Sequence, residues 1–375
     1  MPRIVLLGCG CVGYGFACLA NGEFELNAYD ASSTNLARVK SLPGVARAEL
    51  VDLSNPEMLR RVVKEADLVV DALPGRLGFK AMSVCAEECV DVVSVSYTPE
   101  DPLTLDSEYR ECGAILVPDS GFAPGISNLL VGRSVSLLGF VDEVFIHCGG
   151  LPERPVGPLG YAVRWSPEDL LDEYVRPARV LEGGKVVELD PLSRIEVVKV
   201  PGVGVFEAFY TDGLRTMLAT LRGKVGRMAE LTLRYRGHAE KIKLLRDLGL
   251  LSGEPVKVGG VEVAPKKFLA AVISRNLGYP QVRDVAVLYV VARSGERRVE
   301  YVLYLKGDEG LSAMSRATGS MAYAAAKLIL DGTLREKGVV PPELLGMNKQ
   351  YYARIMKLLE EKGVNIRFRE TRSSG

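Results

Sequence analysis

The sequence is short of several things, and each shortage closes a class of function. Lys+Arg and Asp+Glu number 47 each among 375 residues, so no excess of either sign draws the chain to nucleic acid or to an anionic membrane. No apolar run reaches the roughly 18 residues of a membrane-spanning helix. Met1–Leu7 runs straight into a strand-like pattern instead of a signal peptide, and a cytoplasmic protein is expected. The seven cysteines all precede residue 150 and none is paired as CxxC, so neither a zinc site nor a secreted disulfide framework is indicated. They are expected to be buried small hydrophobes in a reducing compartment. Only two Gln and eight Asn stand among many Arg and Glu, a bias of proteins from hot habitats. Intracellular disulfides do occur there, which leaves Cys85 and Cys89, one helical turn apart, open.

What is present is ordinary for a globular chain: 47% hydrophobic and 25% charged residues, at a length that predicts two to three domains. The first 120 residues repeat an apolar β-branched run, a turn and a helix-period segment, the pattern of a parallel sheet built from βαβ units. Strands are predicted at Ile4–Leu7, Phe24–Tyr29, Ala46–Val51, Leu68–Ala72, Val92–Val95 and Ile115–Val117. Ser54-Asn55-Pro56-Glu57 supplies an N-cap, an early Pro and an N3 Glu, so a helix is predicted from there to about Glu65. After Gly121 the rhythm changes. One helix, Gly125 to Leu138, precedes longer alternating strands around Glu143–Cys148, Arg194–Val200, Ala229–Tyr235 and Asp284–Ala292, and Ser294-Gly295 reads as a hairpin turn. Helices are predicted over Ser312–Leu330 and Pro341–Lys362, and Glu370–Gly375 reads as a frayed end. The fold class is α/β, with domains at 1–124, 125–311 and 312–375, the second built on a mixed, largely antiparallel sheet.

Gly8-Cys9-Gly10-Cys11-Val12-Gly13 follows the first strand directly and opens a helix, and the second strand ends in Asp30. That is the full context of a dinucleotide fingerprint. Gly8 permits the tight turn, Gly10 lets the backbone approach a pyrophosphate, and Gly13 allows close helix packing, while the free N–H groups around Cys11 and Val12 meet the phosphate charge. The first domain is therefore a Rossmann domain. Asp30 would accept from a ribose 2′-OH and repel a 2′-phosphate, and Ala31-Ser32-Ser33 offers no cation, so NAD is expected over NADP. Asp52 is a candidate for the adenine edge or an ordinary turn residue. The break at Asp71-Ala-Leu73-Pro74-Gly75 sits at the carboxyl end of a strand, where ligands bind in open α/β sheets.

Beyond the first domain the sequence resembles the saccharopine dehydrogenase superfamily, and most closely its lysine 6-dehydrogenase branch. The resemblance rests on Asp119-Ser-Gly-Phe-Ala-Pro-Gly125-Ile-Ser-Asn128, Trp165-Ser-Pro-Glu168, Glu207-Ala-Phe-Tyr-Thr-Asp-Gly-Leu-Arg-Thr216, Thr232-Leu-Arg-Tyr-Arg-Gly-His238 and Thr318-Gly319, and runs from Arg3 to about Gly332. The family more often carries Pro at the position of Arg236. The resemblance implies an α/β substrate domain whose sheet often mediates dimers, carboxy-terminal helices that return to the Rossmann domain, and oxidation at a carbon bearing an amine. The implied reaction takes L-lysine and NAD, removes hydride from C6, and hydrolyses the imine with release of ammonia to 2-aminoadipate 6-semialdehyde, which cyclises. A saccharopine-forming or saccharopine-cleaving dehydrogenase is the alternative, with Arg164, Arg176 and Arg215 available for extra carboxylates. A non-catalytic NAD sensor is a third reading, from a different class.

The chemistry makes three demands. The reacting amine, with an ordinary pKa of about 10.4, must be neutral to expel hydride. The substrate carboxylate must be clamped, and a water must be activated. Asp119 and Tyr97, at strand ends on the cofactor edge, are the candidate bases, with His238 as a polar or acid-base group. Arg215 or Arg234 is the candidate carboxylate clamp, with Thr216 and Tyr235 as neutral donors. Glu207 and Asp212 are candidates to hold an ammonium. Asn128 either bonds the nicotinamide carboxamide or caps its helix. Tyr161 and Trp165 line a pocket or simply pack.

Overall fold

The structure, a computed structural model, describes residues 1–163, 166–279 and 281–372; Arg164 and Trp165, named above, lie outside the described residues. The chain forms two compact units, one of Met1–Gly139, Arg215–Leu221 and Met314–Asn365, the other of Phe140–Leu214, Arg222–Ala313 and Ile366–Gly375.

The first unit holds strands β1 (Arg3–Leu7), β2 (Glu25–Asp30), β3 (Val45–Leu50), β4 (Leu68–Asp71), β5 (Val92–Ser94), β6 (Ile115–Val117) and the short β17 (Gly338–Val339). Its helices are α1 (Cys11–Ala20), α2 (Ser33–Val39), α3 (Pro56–Val63), α4 (Gly75–Glu87), α5 (Asp106–Cys112), α6 (Ile126–Leu138), the short α8 (Met217–Thr220), α11 (Ala313–Leu330, from Met314 on), α12 (Pro342–Met347) and α13 (Lys349–Glu361). The sheet order is β17-β6-β5-β4-β1-β2-β3, with every pairing parallel, the doubly wound order of a Rossmann sheet extended by β17. Ile4, Val5, Leu6 and Leu7 are fully buried, as a parallel strand covered on both faces requires.

Two boundaries differ from the sequence reading. Helix α6, expected to open the second domain, belongs to the first unit. It lies against α12 so closely that a Cβ on Gly132 would sit 1.9 Å from Glu343 O, and one on Gly346 2.0 Å from Leu129 O. The predicted helix over Pro341–Lys362 is two helices. Asn348 leaves the helical region (ψ 118°) and its side chain accepts from Gln350 N and Tyr351 N, which starts α13 afresh.

The second unit holds β7 (Val141–Pro152), β8 (Ala178–Glu182), β9 (Lys185–Leu189), β10 (Glu196–Val200), β11 (Gly204–Thr211), β12 (Val225–Arg234), β13 (Val256–Val258), β14 (Val261–Val263), β15 (Asp284–Ser294), β16 (Arg297–Lys306) and β18 (Ile366–Arg372), with α7 (Pro167–Asp172), α9 (His238–Asp247) and α10 (Pro265–Asn276). The main sheet runs β10-β11-β12-β7-β15-β16-β18; β12 and β7 are parallel and the other neighbours antiparallel. One face carries Leu151, Val180, Ala208, Leu231, Val287 and Val302, and the other meets Leu171, Tyr174, Phe209, Ile242 and Ile273 beneath the helices. The sheet coils until its ends meet: Arg367 of β18 donates to Pro201 O, just past β10, at 2.8 Å.

The tail read as frayed is an edge strand as far as Arg372. IRFRETR has no continuous apolar face, so the sequence alone offers little to mark it. It is held by backbone pairing to β16, by Glu370 with Arg297 at 2.9 Å, and by Phe368 packed on Tyr301. All seven cysteines are free thiols; Cys85 is buried and Cys89 is exposed. No helix among the described residues is long and apolar enough to cross a membrane.

Candidate active site

The carboxyl edge of the parallel sheet carries the glycine turn. Gly8 has φ +88°, and a Cβ there would lie 2.6 Å from Ala72 O; a Cβ on Gly13 would lie 1.9 Å from Gly8 O. Both positions therefore require glycine. Nothing lies within 4 Å of where a Cβ on Gly10 would be, and α1 starts there with neither a side-chain cap nor an acid in its first turn. Its backbone N–H groups are thus available to an anion, and the residues fit a dinucleotide pyrophosphate. Asp30, at the end of β2, accepts from Cys9 N and Ser32 N, each at 2.6 Å, and from Asn35 Nδ2. The acid thus braces the glycine turn as well as marking the ribose position. Burial and the Asp30 charge push the Cys9 thiol up to about 12, so it stays protonated. Asp52 accepts from Ser54 N and Ser54 Oγ in a local turn. Leu73 and Pro74 lead into α4, where a Cβ on Gly75 would meet Tyr97 O at 1.9 Å, so the helix start lies hard against the loop after β5.

On the same edge, Asp119 follows β6 and Arg215 precedes α8. Arg215 Nε donates to Asp119 Oδ1 at 3.2 Å, with the two side chains 4% and 1% exposed. The other guanidinium nitrogens go to Thr98 O (2.6 Å) and Thr98 Oγ1 (3.3 Å), and the guanidinium stacks on the Tyr97 ring at 4.5 Å. Asp119 and Arg215 both hold left-handed backbone, φ +50° and +52°, a cost that concentrates where geometry serves a function. Asp119 Oδ2 is buried and has no hydrogen-bond partner. Burial pushes this carboxyl above the ordinary aspartate range, with the Arg215 guanidinium pulling the other way. The site therefore offers one committed and one vacant carboxylate oxygen.

Beneath it, Glu343 of α12 is fully buried. Its Oε1 accepts from Thr220 Oγ1 at 2.7 Å and its Oε2 from Asn128 Nδ2 at 3.4 Å, and burial raises its pKa. Asn128 Oδ1 accepts from Gly125 N and Ser127 Oγ, so of its two sequence readings Asn128 takes the capping one. Thr216 is buried at the start of α8. Two groups here escaped the sequence analysis, Glu343 and Thr98, and Asp71 was named there only as the start of a strand-end break. Asp71, the last residue of β4, accepts from Leu73 N and Ser94 Oγ, and burial raises it to about 6. An acid ending an otherwise apolar strand was a usable signal for it. Thr98 and Glu343 had none.

The remaining candidates lie in the second unit. His238 is 1% exposed, and Leu159 O can only accept, so Nδ1 carries the proton and Nε2 accepts from Tyr174 Oη at 2.7 Å. Burial lowers its pKa to about 3. It is a neutral core residue with both ring nitrogens committed, not an available acid or base. Arg234 is paired with Glu173 at 2.7 Å and stacked on Tyr161 at 4.6 Å. Glu207 accepts from Gly237 N and Ala239 N and so caps α9, while Asp212 accepts three bonds from Arg179, one from its backbone N–H and two from its guanidinium. Tyr235 donates to Pro152 O. Of the predicted catalytic and substrate residues, the structure gathers Asp119, Tyr97, Arg215 and Thr216 in one place; Arg215 serves there as a partner to Asp119, its nitrogens already occupied.

This fold and glycine cradle define a dinucleotide-binding protein of the Rossmann class joined to a second α/β unit. Two family models match the chain, the saccharopine dehydrogenase NADP binding domain over residues 4–117 and the saccharopine dehydrogenase C-terminal domain over 121–364. The chain belongs to the saccharopine dehydrogenase family. It is similar to the mitochondrial alpha-aminoadipic semialdehyde synthase of Mus musculus, 23% identical over 82% of this chain and 41% of that protein. It is also similar to the saccharopine dehydrogenase [NADP(+), L-glutamate-forming] of Schizosaccharomyces pombe, 27% identical over 67% of this chain and 58% of that one. The chain thus spans about two fifths to three fifths of these relatives. Among solved structures, the apo saccharopine dehydrogenase (L-Glu forming) of Saccharomyces cerevisiae shares the fold at TM-score 0.81 and 21% identity, over 99% of this chain and 100% of that one.

Proposed function

We propose that the chain is an NAD-dependent dehydrogenase that oxidises the amine-bearing C6 of L-lysine to 2-aminoadipate 6-semialdehyde, with Asp119 as the base. The observation that carries the reading is the vacant, buried Oδ2 of Asp119 at the carboxyl edge of the sheet, beside the glycine cradle's strand set. A carboxyl raised by burial holds a substrate ammonium by charge and takes its proton, leaving the lone pair that oxidation needs. Arg215 orients the carboxylate through Oδ1 so that Oδ2 faces the amine, and Tyr97, stacked on Arg215, walls the same spot. When bound in the cradle, the nicotinamide supplies a hydride acceptor. Loss of hydride from C6 and of a proton from nitrogen leaves an imine; water adds to it, and ammonia departs. The carboxylate of Asp30, with no cation on Ala31-Ser32-Ser33, supports NAD over NADP.

A second reading has its own support. The fission yeast relative is a saccharopine dehydrogenase that uses NADP(+) and forms L-glutamate, and saccharopine carries more carboxylates than lysine. Against it stands the commitment of both buried guanidiniums near the recognised blocks, Arg215 to Asp119 and Arg234 to Glu173. Absorbance of the reduced nicotinamide separates the two. Turnover with NAD and L-lysine alone is expected, and turnover with saccharopine but not lysine overturns the lysine reading.

A further inference from the structure

Residues Arg215–Leu221 belong to the first unit, although the chain on either side of them, up to Leu214 and from Arg222, belongs to the second. A segment of this kind needs anchors of its own. One is Arg215, whose guanidinium reaches Asp119, Thr98 and the Tyr97 ring. The other is Thr220, whose hydroxyl meets Glu343 Oε1 at 2.7 Å. Met217 and Leu221 are fully buried too, but apolar burial has no direction.

Asp119 begins a second segment, anchored in the same way. At its far end Asn128 Oδ1 accepts from Gly125 N and Ser127 Oγ, so Nδ2 is left to donate, and it donates to Glu343 Oε2. Between the two ends the backbone closes on itself: Gly121 N donates to Pro124 O and Ile126 N to Gly121 O, and a Cβ on Gly125 would lie 2.0 Å from Gly121 O. Packing this close passes a shift at Asn128 on to Asp119. One carboxyl thus ties the far ends of the two segments whose near ends meet as the Asp119–Arg215 pair. The tie survives a change of charge. As a carboxylate Glu343 accepts from Thr220; as a neutral acid it donates to Thr220 Oγ1, whose single hydrogen then goes to Thr216 O at 3.0 Å. Asp119 and Arg215 both hold left-handed backbone, which persists only where the surroundings over-determine it, and the two bonds of Glu343 supply that constraint from behind.

We propose that Glu343 is a positioning residue for the Asp119 base: by holding Thr220 and Asn128 it keeps Arg215 Nε on Asp119 Oδ1 and leaves Oδ2 uncommitted. The role of Asp119 as base rests on the dehydrogenase reading above, whereas the tie itself does not.

The test uses the full chain labelled with ¹⁵Nε-arginine, in which the Arg215 Nε–H resonance is identified by its absence in Arg215→Lys. Bonded to a buried carboxylate, that proton exchanges slowly with water. Thr220→Val removes one tie and leaves Glu343 in place, and Glu343→Ala removes both. Each is expected to lower the protection of the Nε–H by about tenfold, the worth of one lost hydrogen bond. Glu343→Gln is expected to keep it, since the amide oxygen can accept from Asn128 while the NH₂ donates to Thr220 Oγ1. Circular dichroism like the parent's shows that the variants are folded. In turnover, Thr220→Val is expected to lower kcat about tenfold with KM for NAD unchanged. The charged groups that bear on Asp119 are Arg215, Asp101 and Glu343; Arg215 pulls its carboxyl down, so loosening Arg215 moves the acid limb of the pH profile upward. A merely structural residue would lower Tm and leave the resonance and the limb in place. That result, or protection equal to the parent's in Thr220→Val or Glu343→Ala, or protection lost in Glu343→Gln, overturns the proposal. A parent that oxidises no amino acid would overturn the dehydrogenase reading alone, because the resonance needs no turnover.

Discussion

Glu230 allows the sharpest quantitative test of the electrostatics. It is a fully buried carboxyl on β12 with Oε2 unpartnered, packed so tightly on the turn after β11 that a Cβ on Gly213 would lie 1.7 Å from its Oε1. Burial, then the charges of Asp212 and Glu173, raise it from the ordinary 4.5 to about 8. In the unfolded chain the proton leaves near 4.5; in the folded protein it stays until about 8. Between those values unfolding releases a proton, so stability falls as pH rises, by about 1.4 kcal/mol per unit. The stabilising contribution is complete below 4.5 and is lost on passing through about 8. Glu230→Gln removes this titration. Its amide adds a pH-independent offset, because its NH₂ meets no acceptor at the vacant oxygen position. The difference in unfolding free energy between variant and parent should therefore shift in favour of the variant by about 3 kcal/mol between pH 5 and pH 7, and by about 4 kcal/mol by pH 8. Guanidinium unfolding followed by circular dichroism at pH 5, 6, 7 and 8 measures that difference, and every other titration common to both proteins cancels. A difference that stays flat across this range would refute the assignment and show that Glu230 titrates alike in folded and unfolded chains.

Asp119→Asn keeps the shape and removes the base: turnover should drop by about 10²- to 10⁴-fold with NAD affinity unchanged, and single-turnover kinetics that stay at the parent rate would remove Asp119 from the chemistry. Gly13→Ala should abolish dinucleotide binding, since its Cβ must displace Gly8 O from 1.9 Å; fluorescence titration with the reduced cofactor reads this directly. His238→Ala should cost about 2–4 kcal/mol in stability by emptying a buried site and leaving Tyr174 and Leu159 O unpaired, while the pH profile of turnover keeps its shape. A lost limb in that profile would return His238 to catalysis. Replacing Asp30 with Ala and Ser33 with Arg should move the NAD to NADP preference by at least about tenfold toward NADP, because a repelling carboxylate goes and a bidentate phosphate partner arrives. An unchanged ratio of kcat/KM values would show that specificity lies elsewhere.

The sequence by itself determined what short-range pattern can determine. Apolar β-branched runs at Ile4–Leu7, Leu68–Val70 and Val92–Val93 marked a doubly covered parallel sheet, because a strand buried on both faces has no polar alternation. Gly8, Gly10, Gly13 and Asp30 marked the cradle, because its steric and charge demands fall within one βαβ unit. Ser294-Gly295 marked the β15–β16 turn for the same reason of locality. Asp119 and Arg215 were both named, yet their pairing was not, since they stand 96 residues apart. Once paired, Arg215 is no longer free to clamp a substrate carboxylate. Glu343 reaches Asn128 across 215 residues, and no local signal distinguishes it from a solvated acid on a helix. His238 stood in a recognised block as a polar or acid-base candidate, and only the packing of Tyr174 and Leu159 around it makes it a neutral core residue. The edge strand Ile366–Arg372 and the coil of its sheet were likewise decided in three dimensions, by backbone pairing that leaves no trace in hydrophobic periodicity. Burial and pairing between residues remote in sequence set which charges are spent and which atoms stay vacant, and on those this protein's chemistry depends.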